Sequence, residues 1–166
     1  MKRASSDGRP ANYIRRREQV SERRSDSDNV RGPAEMTRAI GAVPALVVLD
    51  IEASIRFYES AFAATDFERH YIPDGSLVYA SFMLGNARIG VTVEDGRWNR
   101  SPHSLGGSPV PIDLEVDDAD AFIDQARNAG AEILIAVADH AYGRSGRIVD
   151  PFGHVWIITS NRSEAR

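Results

Sequence analysis

Two carboxylates, Asp113 and Glu115, stand two residues apart in the apolar segment 110–116, and they are the side chains best suited to chemistry. Their alternation with aliphatic residues predicts a β-strand that places both on one face, about 7 Å apart. In that position they could bind a cationic group, act as a general base or anchor a metal ion. The alternative is a solvated sheet face, which antiparallel sheets tolerate.

Three further side chains are candidates for binding an organic ligand. Tyr142 and Arg147 lie in a predicted hairpin, and phenol and guanidinium groups suit polar anchoring. Arg147 could instead form a structural ion pair with Asp150. Trp98 lies in a loop over residues 95–108, which could close over a site or be a plain connector.

The sequence identifies no catalytic residue and no cofactor. His70, His103 and His140 have no recognisable ligand spacing, and His154 follows a glycine in a turn, where we expect it to bond locally. The absence of cysteine excludes disulfides and thiolate chemistry. Nucleophile-elbow, phosphate-loop and dinucleotide motifs are absent as well.

Composition predicts a soluble globular protein that binds neither nucleic acid nor membranes. The 166 residues are 42% apolar and 27% charged, which is ordinary for one domain. Residues 36–166 carry 11 Arg and 18 Asp or Glu, net −7, so this part repels phosphate backbones. Because no apolar run reaches the roughly 20 residues that a membrane span needs, we expect a cytoplasmic protein.

Residues 1–35 are expected to form a disordered extension, and residues 36–166 the folded domain. The extension carries nine Lys or Arg against six Asp or Glu and few large apolar residues, so it cannot offset its ordering entropy. An electrostatic arm and an organelle presequence are the alternatives, although transit peptides are poor in acidic residues. Met36 is a second candidate start of translation.

The remaining pattern predicts strand, helix and three strands, twice over. The predicted strands are residues 44–49, 67–72, 77–84 and 87–94, then 110–116, 132–137, 144–150 and 154–159. Helices are predicted after Asp50 and after Asp117 and Asp118, as N-capping aspartates precede apolar faces. The fold class is α+β, with helices covering one face of curved, mostly antiparallel sheets. Phe57, Tyr58, Tyr79, Phe82 and Trp156 are predicted core residues.

The chain also repeats itself at an offset of 68 residues. Nine positions from Leu46 to Ile89 recur identically between Leu114 and Ile157. A duplicated module predicts a pseudo-twofold domain with a groove between its halves, which is a natural place for a small molecule.

A family resemblance follows from these motifs. The run Asp-Pro-Phe-Gly-His-Val-Trp at 150–156, with Tyr-Gly-Arg-Ser-Gly-Arg at 142–147, resembles the closing hairpin of the glyoxalase, bleomycin resistance protein and extradiol dioxygenase superfamily. These proteins are also called vicinal oxygen chelate proteins. Residues 105–109 and 56–59 are similar to its PhnB-like branch. The resemblance spans about residues 42–160.

The resemblance implies two βαβββ modules, about 42–94 and 109–160, which form a cupped sheet and usually assemble as a homodimer. Enzymes of the superfamily place His or Glu metal ligands on the first and last strands of each module. Alignment puts these four slots at Val43, Ile89, Pro111 and Ile157. None of these side chains can donate a lone pair to a metal, so we predict that the usual chelating site is absent.

Three functional hypotheses follow. The leading one is metal-free binding or sequestration of a small organic ligand, cationic or aromatic, by Asp113, Glu115, Tyr142, Arg147 and Trp98. The second is a metal-dependent lyase or isomerase of the glyoxalase type, with a displaced site built from Asp113, Glu115 and a histidine. The third is a structural or regulatory homodimer whose groove is incidental.

Overall fold

The computed structural model describes residues 37–161 and confirms the duplicated order of elements. The first module contains β1 (Ala45–Val48), α1 (Ile51–Phe62), β2 (Thr65–Tyr71), β3 (Leu77–Leu84) and β4 (Ala87–Val93). The second contains β5 (Ile112–Val116), α3 (Ala119–Asn128), β6 (Glu132–His140), β7 (Gly143–Val149) and β8 (Val155–Ser160). The connecting loop includes one helical turn, α2 (Pro102–Leu105), which the sequence did not predict. The predicted disordered extension lies outside the described residues.

Capping aspartates begin both long helices, as predicted. The Asp50 carboxylate accepts a hydrogen bond from the Ala53 amide at 2.9 Å, and Asp118 accepts one from the Ala121 amide at 3.0 Å. Each carboxylate satisfies a backbone donor that has no partner within its helix. None of the helices within residues 37–161 is long and apolar enough to cross a membrane.

Each module forms one four-stranded mixed sheet with its helix on one face. Sheet 1 has the order β1-β4-β3-β2, and sheet 2 has the order β5-β8-β7-β6. In both sheets the first strand pairs parallel with the last, and the other pairs are antiparallel. This arrangement confirms the predicted α+β class.

The two modules share one hydrophobic core on the helical side of the sheets. The Phe62 ring on α1 contacts Phe122 on α3, with ring centroids 5.1 Å apart, and Trp156 on β8 at 4.8 Å. Trp156 is fully buried, as predicted. The opposite face of each sheet therefore points away from the core, and we call these the groove faces of sheets 1 and 2.

A buried aspartate joins the two modules. One oxygen of Asp150 accepts hydrogen bonds from the Tyr58 hydroxyl at 2.7 Å and the Trp156 indole at 2.9 Å. Its other oxygen accepts from the amides of Phe152 and His154, both at 2.9 Å. Burial raises the pKa of Tyr58 well above its usual value, and the Asp150 charge adds to this, so the phenol keeps its proton and donates.

The alternative ion pair between Arg147 and Asp150 is wrong. The Asp150 side chain is buried, and both of its oxygens already accept the four hydrogen bonds from α1 and the closing hairpin. Arg147 is exposed and lies on the groove face of β7. Because successive side chains of a strand alternate between faces, Arg147 cannot turn toward the core without disrupting the ladder.

Candidate functional site

The groove face of sheet 2 brings three of the predicted binding residues together. Cross-strand partners on this face form two rows. The slot row, named after the slot residue Ile157, consists of Asp113, Ile157, Arg147 and Ile135. The adjacent row consists of Glu115, Thr159, Ser145 and Ala138. In β5 the carboxylates are exposed and the aliphatic residues partly buried, so Asp113 and Glu115 do share one face. Their role in binding a ligand stays a prediction.

Opposite charges flank Ile157 on this face. Asp113 pairs with Ile157 from one side and Arg147 pairs with it from the other. Two strand spacings separate the backbones of the charged residues by about 10 Å, which leaves room for a ligand above the isoleucine. The Glu115 carboxylate accepts a hydrogen bond from the side-chain amide of Asn161. Sheet 2 therefore offers both a cationic and an anionic anchor.

Tyr142 lies at the end of this sheet, outside the two rows. It is 67% exposed in the β6–β7 turn. Its ring stacks on His140 with centroids 5.0 Å apart and the planes almost parallel. Tyr142 thus lies in the predicted hairpin, and its ring is stacked on the last residue of β6.

Trp98 lies in the loop that follows β4 and is 80% exposed. One oxygen of Asp95 accepts hydrogen bonds from the amides of Arg97 and Trp98, at 2.8 and 2.7 Å. These backbone hydrogen bonds lower the pKa of Asp95, and the bond from Trp98 has the largest effect. The Arg97 guanidinium lies 5.1 Å from the centre of the indole. This network favours a connector of fixed shape over a closing lid.

The groove face of sheet 1 contains a residue that the sequence misplaced. Tyr79 was predicted to fill the core, and this is wrong: it is half-buried on the groove face, paired with Thr92 and His70. Its neighbours Ala80 and Phe82 alternate with it and are fully buried or nearly so. The alternation of β3 was the signal that could have placed Tyr79 correctly.

The last-strand slot of module 1 also differs from its predicted position. Ile89 pairs with Phe82 in the core, whereas Gly90 pairs with Ala45 and Ser81 on the groove face. The cross-strand partners make Ala45 equivalent to Asp113, Ser81 to Arg147 and Gly90 to Ile157, which lie 68, 66 and 67 residues apart. The 68-residue offset therefore fails at β3 and β4. A shift of one residue reverses the face of every side chain in a strand.

With Gly90 in place of Ile89, the resemblance aligns Val43, Gly90, Pro111 and Ile157 with the chelating positions, and none of these side chains offers a donor atom to a metal. Val43 and Pro111 lie just before β1 and β5 and not within them. The residues at the positions that chelate in metal-dependent relatives do not fit a divalent ion. Within residues 37–161, no three His, Asp or Glu side chains converge into a group that could hold one. A displaced site made of Asp113, Glu115 and a histidine is thus not assembled within the described part of one chain.

His154 connects the closing hairpin to module 1. Its amide bonds locally to Asp150, as expected, but its ring Nε2 lies 3.1 Å from the Val47 carbonyl at the free edge of β1. The ring also lines a mostly apolar cleft of about 220 Å³ between β1 and residues 108–112. Burial lowers the pKa of His154, and the nearby His103 lowers it further, while Asp150 and the carbonyl oppose the shift.

Because the pKa of His154 is lowered, we predict that acid destabilises the contact between the closing hairpin and β1. The unfolded chain, with a histidine pKa of about 6.5, binds the proton more readily than the folded one, so the free energy of unfolding falls as pH drops below that value. Urea unfolding at several pH values between 7 and 5 measures the slope of the free energy of unfolding against pH. The His154→Gln variant should have a smaller slope, whereas exposed His140→Gln should keep it. An equal slope in wild type and His154→Gln would contradict this assignment.

Comparisons with known proteins agree with this architecture. Residues 41–158 match the family model described as the Glyoxalase/Bleomycin resistance protein/Dioxygenase superfamily. An uncharacterized protein of Mycobacterium tuberculosis is 40% identical over 131 residues, covering 74% of this chain and 77% of that protein. An uncharacterized protein of Arabidopsis thaliana is 24% identical over 146 residues, covering 81% of this chain and 88% of that protein.

Solved structures with the same fold have lower sequence identity. The bleomycin-binding protein of Streptomyces verticillus, in complex with copper(II)-bleomycin, superposes with a TM-score of 0.51 at 22% identity, covering 76% and 100% of the two chains. TioX from Micromonospora superposes with a TM-score of 0.57 at 21% identity, covering 73% and 99%. With the family model matching most of the domain, this chain belongs to the glyoxalase, bleomycin resistance protein and dioxygenase superfamily.

Proposed function

We propose that this protein binds and sequesters a small organic molecule on its groove faces, without a metal at the four strand slots. The proposal is carried by an intact superfamily scaffold in which strand pairing puts Gly90 and Ile157 at the last-strand slots. The alignment puts Val43 and Pro111 at the other two slots. A scaffold without chelating donors still offers shape, charge and hydrogen-bonding groups. The ligand is then held by these alone.

The charges of the groove favour a ligand with a cationic group beside an aromatic or polar body. Asp113 and Glu115 are both exposed on the groove face of sheet 2. The domain around them, residues 36–166, has a net charge of −7, which attracts cations and repels anions. Arg147 supplies one planar donor group for a carbonyl or carboxylate oxygen of the same molecule.

We also propose that the complete site forms in a homodimer in the cytoplasm. Binding pockets bury most of a ligand's surface, but Asp113, Glu115 and Arg147 are all exposed in the single chain. A second copy that places its sheet 1 over sheet 2 of the first would close the groove. Light scattering after size-exclusion chromatography gives the molar mass, and a monomer at the concentration used for binding would contradict this arrangement.

Bleomycin, with and without copper, is the first probe, because a protein of the same fold binds its copper complex. A specific binder at about 100 times its dissociation constant gains roughly 2.7 kcal/mol of stability, which a thermal shift detects. Stabilisation by this or another cationic aromatic compound, without turnover, supports sequestration. No stabilisation across a library of such compounds would favour the structural homodimer. Stoichiometric divalent metal in protein purified without chelators would favour the lyase or isomerase.

Neutralising the groove carboxylates Asp113 and Glu115 is expected to lower the affinity for cationic ligands. The Asp113→Asn/Glu115→Gln variant should bind a cationic aromatic probe about 10 to 100 times more weakly, because two charge-assisted contacts lose their charge. Isothermal titration calorimetry measures this. The matched control is Glu59→Gln/Asp124→Asn, which removes two negative charges from exposed positions on α1 and α3. Equal weakening in both variants would reduce the effect to net charge and eliminate the assigned contacts.

A further inference from the structure

The two groove faces differ in side-chain size at equivalent positions. In the slot row, sheet 1 carries Ala45, Gly90 and Ser81 where sheet 2 carries Asp113, Ile157 and Arg147. In the adjacent row the larger side chains are on sheet 1, where Tyr79 and His70 occupy the positions of Ser145 and Ala138 in sheet 2. The duplicated modules have therefore diverged most where they would contact a ligand.

The Tyr79 side chain crosses from its own row onto the slot row of sheet 1. A Cβ atom built on Gly90 would lie 2.6 Å from the Tyr79 hydroxyl oxygen and 3.0 Å from the nearest ring carbon. The phenol oxygen thus lies where a slot side chain would begin. No larger residue fits at position 90 while the ring keeps this position.

The polar groups around Tyr79 are already engaged. The Thr92 hydroxyl donates to the Val78 carbonyl at 3.2 Å, and Ser81 accepts from the Arg88 guanidinium at 3.0 Å. Arg88 also pairs with Glu68 at 3.3 Å, so its charge is compensated. Within residues 37–161, the Tyr79 hydroxyl takes part in no hydrogen bond, although its oxygen lies over the slot row. The Ser81 hydroxyl also has no acceptor, but it is buried and already holds Arg88.

We propose that Tyr79 replaces the missing metal ligand of module 1 as the anchoring group for the bound molecule. Its hydroxyl donates a hydrogen bond to a carbonyl-type oxygen, and its ring, with His70 at a centroid distance of 5.5 Å, provides an aromatic surface. The preferred ligand carries an uncharged acceptor oxygen attached to a planar ring. This inference rests on the proposed function, because it places the ligand in the groove.

A purely structural role for the same contact makes a different prediction. An aromatic ring that covers a glycine on the neighbouring strand stabilises a sheet by shielding its backbone. The Tyr79→Phe variant keeps this ring and removes only the hydroxyl. It therefore separates the anchoring role from packing, since packing requires the ring alone.

The test uses two fragments of the same shape, acetophenone, which has a carbonyl on its ring, and ethylbenzene, which has none. Binding to the full chain is followed by amide shifts of Gly90 and Thr92 in two-dimensional NMR. Wild type should bind acetophenone about five to ten times more tightly than ethylbenzene, the value of one neutral hydrogen bond. Tyr79→Phe should bind both equally while its melting temperature stays the same.

A second variant moves the hydroxyl without deleting it. Gly90→Ala places a methyl group at 2.6 Å from the Tyr79 oxygen, so the ring must shift, and the preference for acetophenone should fall as in Tyr79→Phe. A preference that survives in both variants would overturn the anchoring role. Equal binding of both fragments to wild type would overturn it as well, while leaving the groove as a binding site. Fragments that shift neither amide of wild type would overturn this inference. Stabilisation of the same protein by a cationic aromatic compound would then still support the proposed function, and its absence would overturn both.

Discussion

Replacing Asp150 with alanine is expected to lower the free energy of unfolding by about 3–5 kcal/mol, the range seen when one partner of a buried charged network is removed. The substitution leaves the Tyr58 hydroxyl, the Trp156 indole and two amides without their acceptor. Both aromatic groups are fully buried, so water cannot replace the carboxylate without opening the core. The loss falls on the contact between α1 and the closing hairpin.

Urea unfolding followed by Trp156 fluorescence measures this loss, because Trp156 is buried whereas Trp98, the other tryptophan, is largely exposed. Asp124→Ala, on the exposed side of α3, is the control for removal of one carboxylate. Asp150→Asn should also destabilise strongly, since all four partners are donors and an amide offers only one acceptor oxygen. A loss below about 1 kcal/mol for Asp150→Ala would contradict the role of this residue in joining the modules.

This role gives the closing motif a physical meaning that sequence alone did not supply. The sequence offered an ion pair between Arg147 and Asp150 as the alternative to a ligand-binding Arg147. The true side-chain donors include Tyr58, which is 92 residues away in the chain. No spacing rule finds such a pair. The aspartate of the hairpin is thus a structural acceptor between modules, and it takes no position on the groove faces.

Local signals, in contrast, predicted the elements well. The aspartates at 50 and 118 begin helices because their carboxylates bond to amides three residues ahead, a contact that any helix start can form. β3 (Leu77–Leu84) has the predicted bounds, since aromatic and aliphatic residues fill it between a turn and a glycine. The position of Asp113 and Glu115 on one face followed from strand alternation in the same way.

The sequence failed where a single residue of register decides the result. Identical letters 68 positions apart assigned Ile89 to the groove, but strand pairing puts Gly90 there. Hydrophobicity assigned Tyr79 to the core, although a tyrosine can also cover a glycine on the exposed face of a sheet. Turn length and cross-strand pairing thus decide which residues face the groove in sheet 1, and only the folded chain reveals that pairing.

The aromatic cluster around Phe62 provides a further contact between the modules, and its removal is expected to lower the free energy of unfolding by a similar amount. Phe62→Ala should cost about 3–5 kcal/mol, as is typical for a buried phenylalanine that leaves a cavity. Phe62 is 3% exposed, and its ring contacts Phe122 and Trp156 of the second module as well as Phe57 and Tyr58 of its own helix. Truncation therefore removes contacts on both sides of the junction.

Phe62→Leu is the matched variant, because it retains most of the apolar volume and loses the aromatic contacts. We expect it to cost about 1–2 kcal/mol, mainly the aromatic pair energies. Since the core is shared, circular dichroism and Trp156 fluorescence should report a single transition at the same urea concentration in Phe62→Ala. Two separate transitions would mean that each module keeps its own core. In that case the Phe62 cluster would not hold the groove faces of sheets 1 and 2 in a fixed orientation. A ligand site that uses both faces depends on that orientation.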